Sequence, residues 1–310
     1  MARLISTIVV LGLLGGTAAA FAITEGLKLE RSPITGTRIT STFSPGCKCS
    51  TALAHIDFRL RKNDSVTATV LRADGKRVQT IASSLDAPRG FLRLRWDGRD
   101  ELGMLAPPGD YKVRIHLARR HQTINLPNTI IIDKTPPRIT VTRVRPPVFS
   151  PNHDGRKDHV AIRFAVSETA RPLLLVNGRR ALRGRLTHVS GTLYWSGRID
   201  GHRLPTGRYA LTLRAQDVAG NRSPPSRAHV VEINYVSADL VENAHLRAGR
   251  LFFIRVSSDA RRVAWRLDGE NGFVKPGKVH LRAPKRPGRY RLVFSVGGHQ
   301  VSAHVIVRKR

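Results

Sequence analysis

Pro107-Pro108-Gly109-Asp110-Tyr111-Lys112-Val113-Arg114-Ile115-His116-Leu117 decides how this chain is read. A proline–glycine turn leads into a run in which every second residue is apolar: Tyr111, Val113, Ile115 and Leu117. A period of two marks a strand with one buried face, because successive side chains of a strand point to opposite sides. The device occurs twice more. Pro205-Thr206-Gly207-Arg208-Tyr209 precedes Leu211, Leu213 and Ala215, and Pro287-Gly288-Arg289-Tyr290 precedes Leu292, Phe294 and Val296. A turn-and-strand unit recurring at module-sized intervals describes a string of β-domains.

Outward from these strands, the 310 residues suit three domains of roughly 80–100 residues each. The first is expected over 43–133, with strands at 54–60, 65–71, 91–96, 111–117 and 123–132 and a hairpin turn at Asp74-Gly75. It ends at Asp133-Lys134-Thr135-Pro136-Pro137, where paired prolines cannot continue a ladder. The second is expected over 138–233. Its Phe149-Ser150-Pro151 repeats Phe43-Ser44-Pro45, and its Trp195-Ser196-Gly197-Arg198 repeats Trp96-Asp97-Gly98-Arg99. The distance from Trp to Tyr differs by one residue between the two, as expected for two copies of one unit. The third, over 235–310, keeps the Gly-x-Tyr strand but sets Trp265 much farther ahead of Tyr290. It reads as a related sandwich of another subtype. Trp96, Trp195 and Trp265 are expected in the cores. Tyr111, Tyr209 and Tyr290 are expected to open equivalent strands as tyrosine-corner residues. The fold class is therefore all-β: three tandem β-sandwiches behind an N-terminal hydrophobic helix.

From Leu4 to Thr24 there is no charged residue, and Arg3 precedes the run. Such a stretch is long enough to span a bilayer, and positive charge on its N-terminal side keeps that end in the cytoplasm. Ala20-Phe21-Ala22 also fits a signal-peptidase site. Residues 1–24 are thus a signal anchor or a signal peptide, and the anchor is the reading taken. The expected location is the cell membrane, single-pass with extracytoplasmic domains, or secreted if Ala22 is a cleavage site. Residues 25–42 read as a polar linker.

The formal net charge is +31. It is spread over all three modules, and much of it alternates with core positions, as Arg93 and Arg95 do between Leu92, Leu94 and Trp96. One reading is the solvated faces of strands. The other is attraction to anionic envelope polymers or headgroups. Nucleic acid is not expected as a partner, since no aromatic–basic RNA signature or zinc-finger spacing occurs.

Cys47-Lys48-Cys49 holds the only two cysteines. Outside the cytoplasm they could form a local disulfide, pair with another chain, or serve thiol redox chemistry. No thioredoxin-like βαβ pattern surrounds them. Asn152, Asp154 and Asp158, with Gly155 for the bend, offer oxygens spaced like part of a calcium loop. The competing reading is an Asx-rich turn. Calcium is the one cofactor suggested. Asp97 and Asp100 could be posed as paired carboxylates, but the second copy has Ser196 and Ile199 there, so turn-shaping is the better account. No nucleophile elbow, P-loop or zinc-type histidine spacing is present.

Trp96-Asp97-Gly98-Arg99-Asp100 followed by Pro107-Pro108-Gly109-Asp110-Tyr111 resembles the Ig-like domain of flagellar hook-capping proteins, a type also found as an accessory module of secreted subtilisin-like proteases. Phe149-Ser150-Pro151-Asn152-His153-Asp154-Gly155-Arg156-Lys157-Asp158 resembles the opening of related bacterial surface modules, in which a glycine is usual where His153 stands. The resemblance covers 43–233 and implies an extracytoplasmic location and an Ig-like fold, so that the expected fold is all-β, three tandem Ig-like β-sandwiches behind an N-terminal hydrophobic helix. Neither hook capping nor proteolysis follows from it. The expected function is a non-catalytic, membrane-anchored envelope or surface module that binds or spaces. The alternatives are an accessory module of a secreted protease or flagellar appendage, and an extracytoplasmic thiol-redox protein. Partners are expected to be the membrane, through the N-terminal helix, and anionic envelope polymers or another secreted protein.

Overall fold

The structure is a computed structural model and describes residues 12–19, 32–47 and 49–309. Residues 12–19 are helical. The rest of the hydrophobic segment, with residues 25–31 of the expected linker, lies outside the described residues. Among the described residues no helix is long and apolar enough to cross a membrane. The chain is all-β and forms two compact units, Met1–Lys134 and Thr135–Arg310.

In the first unit a three-stranded sheet runs Ile34–Ile39, Ala54–Leu60, Gly90–Trp96. Against it packs a sheet ordered Thr42–Phe43, Ile130–Ile132, Gly109–Leu117, Asp64–Arg72, Arg77–Ala87. The strand that begins with the Gly-x-Tyr turn is central in that sheet, and its Tyr111, Val113, Ile115 and Leu117 are all buried. Gly75 sits at positive φ in the expected hairpin turn, and Lys76 N–H donates to Asp74 Oδ1 at 3.0 Å.

Three details differ from the sequence reading. Ile34–Ile39 is a strand paired with Ala54–Leu60, so the sandwich begins inside the segment read as linker. Gly36 at φ +62 and a register shift between Thr35 and Arg38 break the alternation that would have marked it. The run read as one strand over 123–132 is two, Gln122–Asn125 and Ile130–Ile132, separated by Leu126-Pro127. Arg77–Ala87, an edge strand whose ladder shifts register three times, carries no period of two.

The second unit holds two sandwiches with the same plan. One pairs Ile139–Arg145, Val160–Val166, Ser190–Trp195 with a sheet ordered Val148–Phe149, His229–Ile233, Gly207–Asp217, Ala170–Val176, Arg179–Arg183. The other pairs Ser237–Ala238, Leu251–Ser257, Gly277–Arg282 with Ala244–Arg247, His299–Arg308, Gly288–Val296, Val263–Leu267, Glu270–Val274. In all three larger sheets the Tyr strand is central, and a short strand runs parallel to one neighbour.

The first two cores are near copies. Phe43 and Trp96 rings lie 5.5 Å apart at 57°, and Phe149 and Trp195 repeat both values. Each indole N–H donates at 2.9 Å to a carbonyl three residues on, Arg99 or Arg198. Gly98 and Gly197 have φ of +76 and +68, and a Cβ there would come within 2.5 Å of Pro45 or 2.9 Å of Pro151. Glycine is therefore required twice over, by backbone angle and by the packed proline.

Trp265 packs against the third core without being fully enclosed by it. It lies on Val263–Leu267, in the five-stranded sheet, where it is half-buried with its indole N 3.1 Å from a notional Cβ on Gly272 across the edge pair. Phe294, fully buried, is the large central side chain of that core. The tyrosines, by contrast, are equivalent in all three sandwiches. Tyr111, Tyr209 and Tyr290 each donate a hydroxyl hydrogen bond to the carbonyl four residues back, at 2.6, 2.9 and 2.9 Å to Pro107, Pro205 and Arg286. That bond ties the turn onto the central strand.

Within the second unit Tyr235 pins the two sandwiches together. It is fully buried, its hydroxyl donates to Leu204 O at 3.1 Å, and its carbonyl accepts from Ser258 Oγ at 2.7 Å. Its ring stacks on His299, with centroids 3.4 Å apart at 4°. Burial, helped by Arg203, lowers the His299 pKa and holds the ring neutral.

Two outcomes follow. Tyr111→Phe leaves the Pro107 carbonyl without its donor and should lower stability by about 1–2 kcal/mol in urea unfolding of the first unit. Because the unfolded chain protonates His299 before the folded one does, stability of the second unit is full above the ordinary imidazole range and falls as pH drops below about 6.5. His299→Phe should remove this component from the difference between the two pH–stability curves.

Candidate functional site

The fold gathers part of the charge that looked diffuse in sequence into clusters. At one end of the first sandwich the loops 61–63, 88–89 and 118–121 meet Ser32-Pro33, where the described chain comes in. Pro33, Arg61, Lys62, Arg119 and Arg120 line a cavity of about 670 Å³ there. Arg61 is fixed to the incoming chain, its Nε donating to Ser32 O at 2.9 Å and its amide to Pro33 O at 3.0 Å. Arg89 joins the rim, since its amide donates to Asn63 Oδ1 at 2.7 Å.

Asp64, 1% exposed, forms the floor. Its Oδ1 accepts from the amides of Ser65 and Arg119 at 2.9 and 3.0 Å, and its Oδ2 pairs with Arg120 Nε at 3.2 Å. One buried carboxylate thus orders two loops and holds Arg120 in place. Arg119 pairs with Asp86 at 3.2 Å, but both side chains are exposed, so that pair adds little. Cations outnumber anions at this rim, which suits a multiply charged anionic surface.

The second gathering lies on the outer face of the five-stranded sheet of the second sandwich. Arg179, Arg180, Arg214 and Arg222 surround Leu173 and Leu175 in a cavity of about 430 Å³. Arg179 pairs with Asp200 at 3.1 Å. The buried Nε of Arg214 has no hydrogen-bond partner. Neither gathering was legible in sequence, because each draws its arginines from separate strands and loops.

Cys47 and Cys49 form a disulfide, with Cα atoms 5.3 Å apart and both residues half-buried in the loop before Ala54–Leu60. Among the described residues no free cysteine remains. Cys49 Sγ lies 3.1 Å from Thr51 Oγ1.

The Asn152–Asp158 loop uses its oxygens on itself. Asp158 accepts from the amides of His153 and Gly155 at 2.6 and 2.8 Å, Asp154 from Arg156 at 2.8 Å, and Asn152 from Asp154 at 3.1 Å. These are the bonds of an Asx-rich turn. They hold His153 at φ +67, which explains why a glycine is usual at that position in the modules this loop resembles. Asp97 and Asp100 behave alike: Asp97 accepts from the Arg99 amide at 3.0 Å, and Asp100 from Leu102 and Met104 at 3.0 and 2.9 Å. They shape the turn after Trp96.

Residues 50–120 match the family model of the FlgD Ig-like domain. The match falls on the first sandwich and contains the Trp96 and Tyr111 motifs. No curated protein matches the chain. Among solved structures, the fibronectin(III)-like modules of Clostridium thermocellum CbhA are 14% identical, covering 64% of this chain and 93% of that one, with a TM-score of 0.35. SGBP-B of Bacteroides ovatus, solved with a mixed-linkage heptasaccharide, is 15% identical over 89% and 71%, with a TM-score of 0.23. Titin domains I67–I69 are 9% identical over 91% and 100%, with a TM-score of 0.29. Likeness at these scores says nothing about ligands.

The Cys47–Cys49 bridge closes a very short loop outside the hydrophobic core, so its restraint on the unfolded chain is small. Reduction should lower stability of the first unit by no more than about 1.5 kcal/mol in denaturant unfolding.

Proposed function

We propose that this chain is an exported, non-catalytic Ig-like repeat protein, held at the cell membrane by its N-terminal segment and binding or spacing there. The observation that supports this most is the basic rim around Pro33. It stands at the end of the first sandwich where the chain arrives from the uncharged run. About seven residues, 25–31, separate the two, and even fully extended they reach only about 25 Å. A rim so tethered meets anionic headgroups or wall polymers within a few screening lengths. The uncharged run Leu4–Thr24 and the small-residue site at Ala20-Phe21-Ala22 support export in either form.

The FlgD Ig-like match over 50–120 favours a second reading, an accessory module of an appendage or a secreted enzyme. In that case the chain co-purifies with one defined protein, and the complex survives high salt.

On the first reading, cell fractionation leaves the full-length chain in the membrane, and a soluble chain starting at Ile23 contradicts the anchor. Lys62→Glu with Arg89→Glu removes two rim cations whose side chains make no hydrogen bond or ion pair among the described residues. It should weaken capture of envelope material several-fold at low salt and leave unfolding unchanged. Capture that is unaffected by both salt and these substitutions would contradict a charge-based surface.

A further inference from the structure

On the outer face of the five-stranded sheet in the second sandwich, three arginine side chains lie together without a partner. Leu173 and Leu175 point outward there, because Leu174 between them belongs to the core. Arg214 stands opposite Leu173 on the Tyr strand, and Arg180 stands opposite Leu175 on the edge strand. Arg222 bridges back to Gln216, two residues beyond Arg214. Leu173 is only 6% exposed although it faces away from the core, so neighbouring side chains, the arginine stems among them, cover it. Stems packed in this way hold the guanidinium groups around one cavity of about 430 Å³.

One carboxylate, Asp200, shares the cavity with four arginines, and Arg179 already engages it at 3.1 Å. Arg180, Arg214 and Arg222 make no hydrogen bond or ion pair through their side chains among the described residues. Arg214 is half-buried, and its Nε is enclosed and unpaired, a condition native folds seldom tolerate. The other two sandwiches show what an outward arginine of the Tyr strand ordinarily does. In the first, Arg114 Nε donates to Asn125 Oδ1 at 3.1 Å. In the third, Arg291 Nε and Nη2 donate to Ser302 Oγ at 3.2 and 3.0 Å. Each acceptor stands on the adjacent strand. Beside Arg214 the adjacent strand offers Leu173 instead, and the chain supplies no acceptor.

We propose that Arg180, Arg214 and Arg222 bind the phosphate of a phosphate ester on the outer face of the second sandwich, with the carbon skeleton of the ligand against Leu175. Every cation lining the cavity is an arginine, whose planar fork grips an oxyanion through paired hydrogen bonds where a lysine would act as a point charge. The three unpaired arginines come from three separate segments of chain, so their forks approach from different sides. A carboxylate is planar and offers two oxygens to such a set. A phosphate ester is tetrahedral, offers more oxygens in more directions, and carries up to two charges. Half-buried Leu175 gives the cavity an apolar wall for the esterified carbons. This site stands apart from the basic rim of the first sandwich and does not depend on it. A lipid headgroup and a soluble polyol phosphate share the chemistry it recognises.

The test is calorimetric titration of the full-length chain, in a non-ionic detergent at pH 7.5 and fixed ionic strength, with glycerol phosphate. The wild type should bind it. Arg180→Gln with Arg222→Gln should weaken binding about tenfold or more and leave urea unfolding unchanged, since both side chains are exposed. Arg214→Lys keeps the charge but removes the fork, and should weaken binding several-fold. Lys62→Glu with Arg89→Glu, on the first sandwich, should bind as the wild type does, so failure here and failure of the rim are told apart. Glycerophosphoglycerol, the water-soluble head of an anionic lipid, and an oligomer of glycerol phosphate then separate the two sources. Tighter binding of the first assigns a headgroup and tighter binding of the second a polyol phosphate, and either upholds the site. No binding by the wild type, or equal binding by the Arg180/Arg222 double variant, would overturn the proposal. Glucuronate binding as tightly as glycerol phosphate would overturn it too, because the cavity would then be a carboxylate site.

Discussion

One hydrogen bond recurs at the centre of this protein, from a tyrosine hydroxyl to the carbonyl four residues earlier. Tyr111, Tyr209 and Tyr290 each make it, and each stands at the start of the central strand of a larger sheet. The bond fixes how the turn enters the strand. The strand's register then determines which side chains face the opposing sheet. In the first two sandwiches the tyrosine ring also meets the tryptophan edge-on, at 4.9 and 6.2 Å. Such contacts add about 0.5–1.5 kcal/mol beyond the area they bury. In the third the tryptophan has left that position and Phe294 fills the centre, so the tyrosine bond is the shared constraint and the tryptophan is not.

That ordering explains what the sequence made legible. The Tyr strands could be read because a central strand with one face in the core must alternate, as Gly109–Leu117 does from Tyr111 onward. Phe43 and Trp96, with their counterparts Phe149 and Trp195, could be read because the duplicated cores kept the same packing. Ile34–Ile39 escaped because Gly36 puts a bulge in it. Arg77–Ala87 escaped because an edge strand with shifting register has no constant inner face. Trp265 was placed by analogy with the other tryptophans, but its strand belongs to the opposite sheet, from which it packs half-buried against the core.

The candidate sites were legible to different degrees for a related reason. Asp158 and Cys49 are bonded within their own loops, where local sequence already laid out the alternatives. The basic rim of the first sandwich and the arginine cluster of the second draw on residues far apart in the chain. Only the fold brings them together. The sheets are the frame the three sandwiches share, while the charged clusters differ from one sandwich to the next.

The account rests on the Tyr strand being the stable centre of every sandwich, including the third. Native-state hydrogen exchange tests this directly. Amides of Gly109–Leu117, Gly207–Asp217 and Gly288–Val296 should be the slowest in their sandwiches, and those of Arg77–Ala87, Arg179–Arg183 and Glu270–Val274 should exchange sooner. If Gly288–Val296 exchanged as fast as the edge strand Glu270–Val274, the third sandwich would not be organised around its tyrosine, and the account would be contradicted.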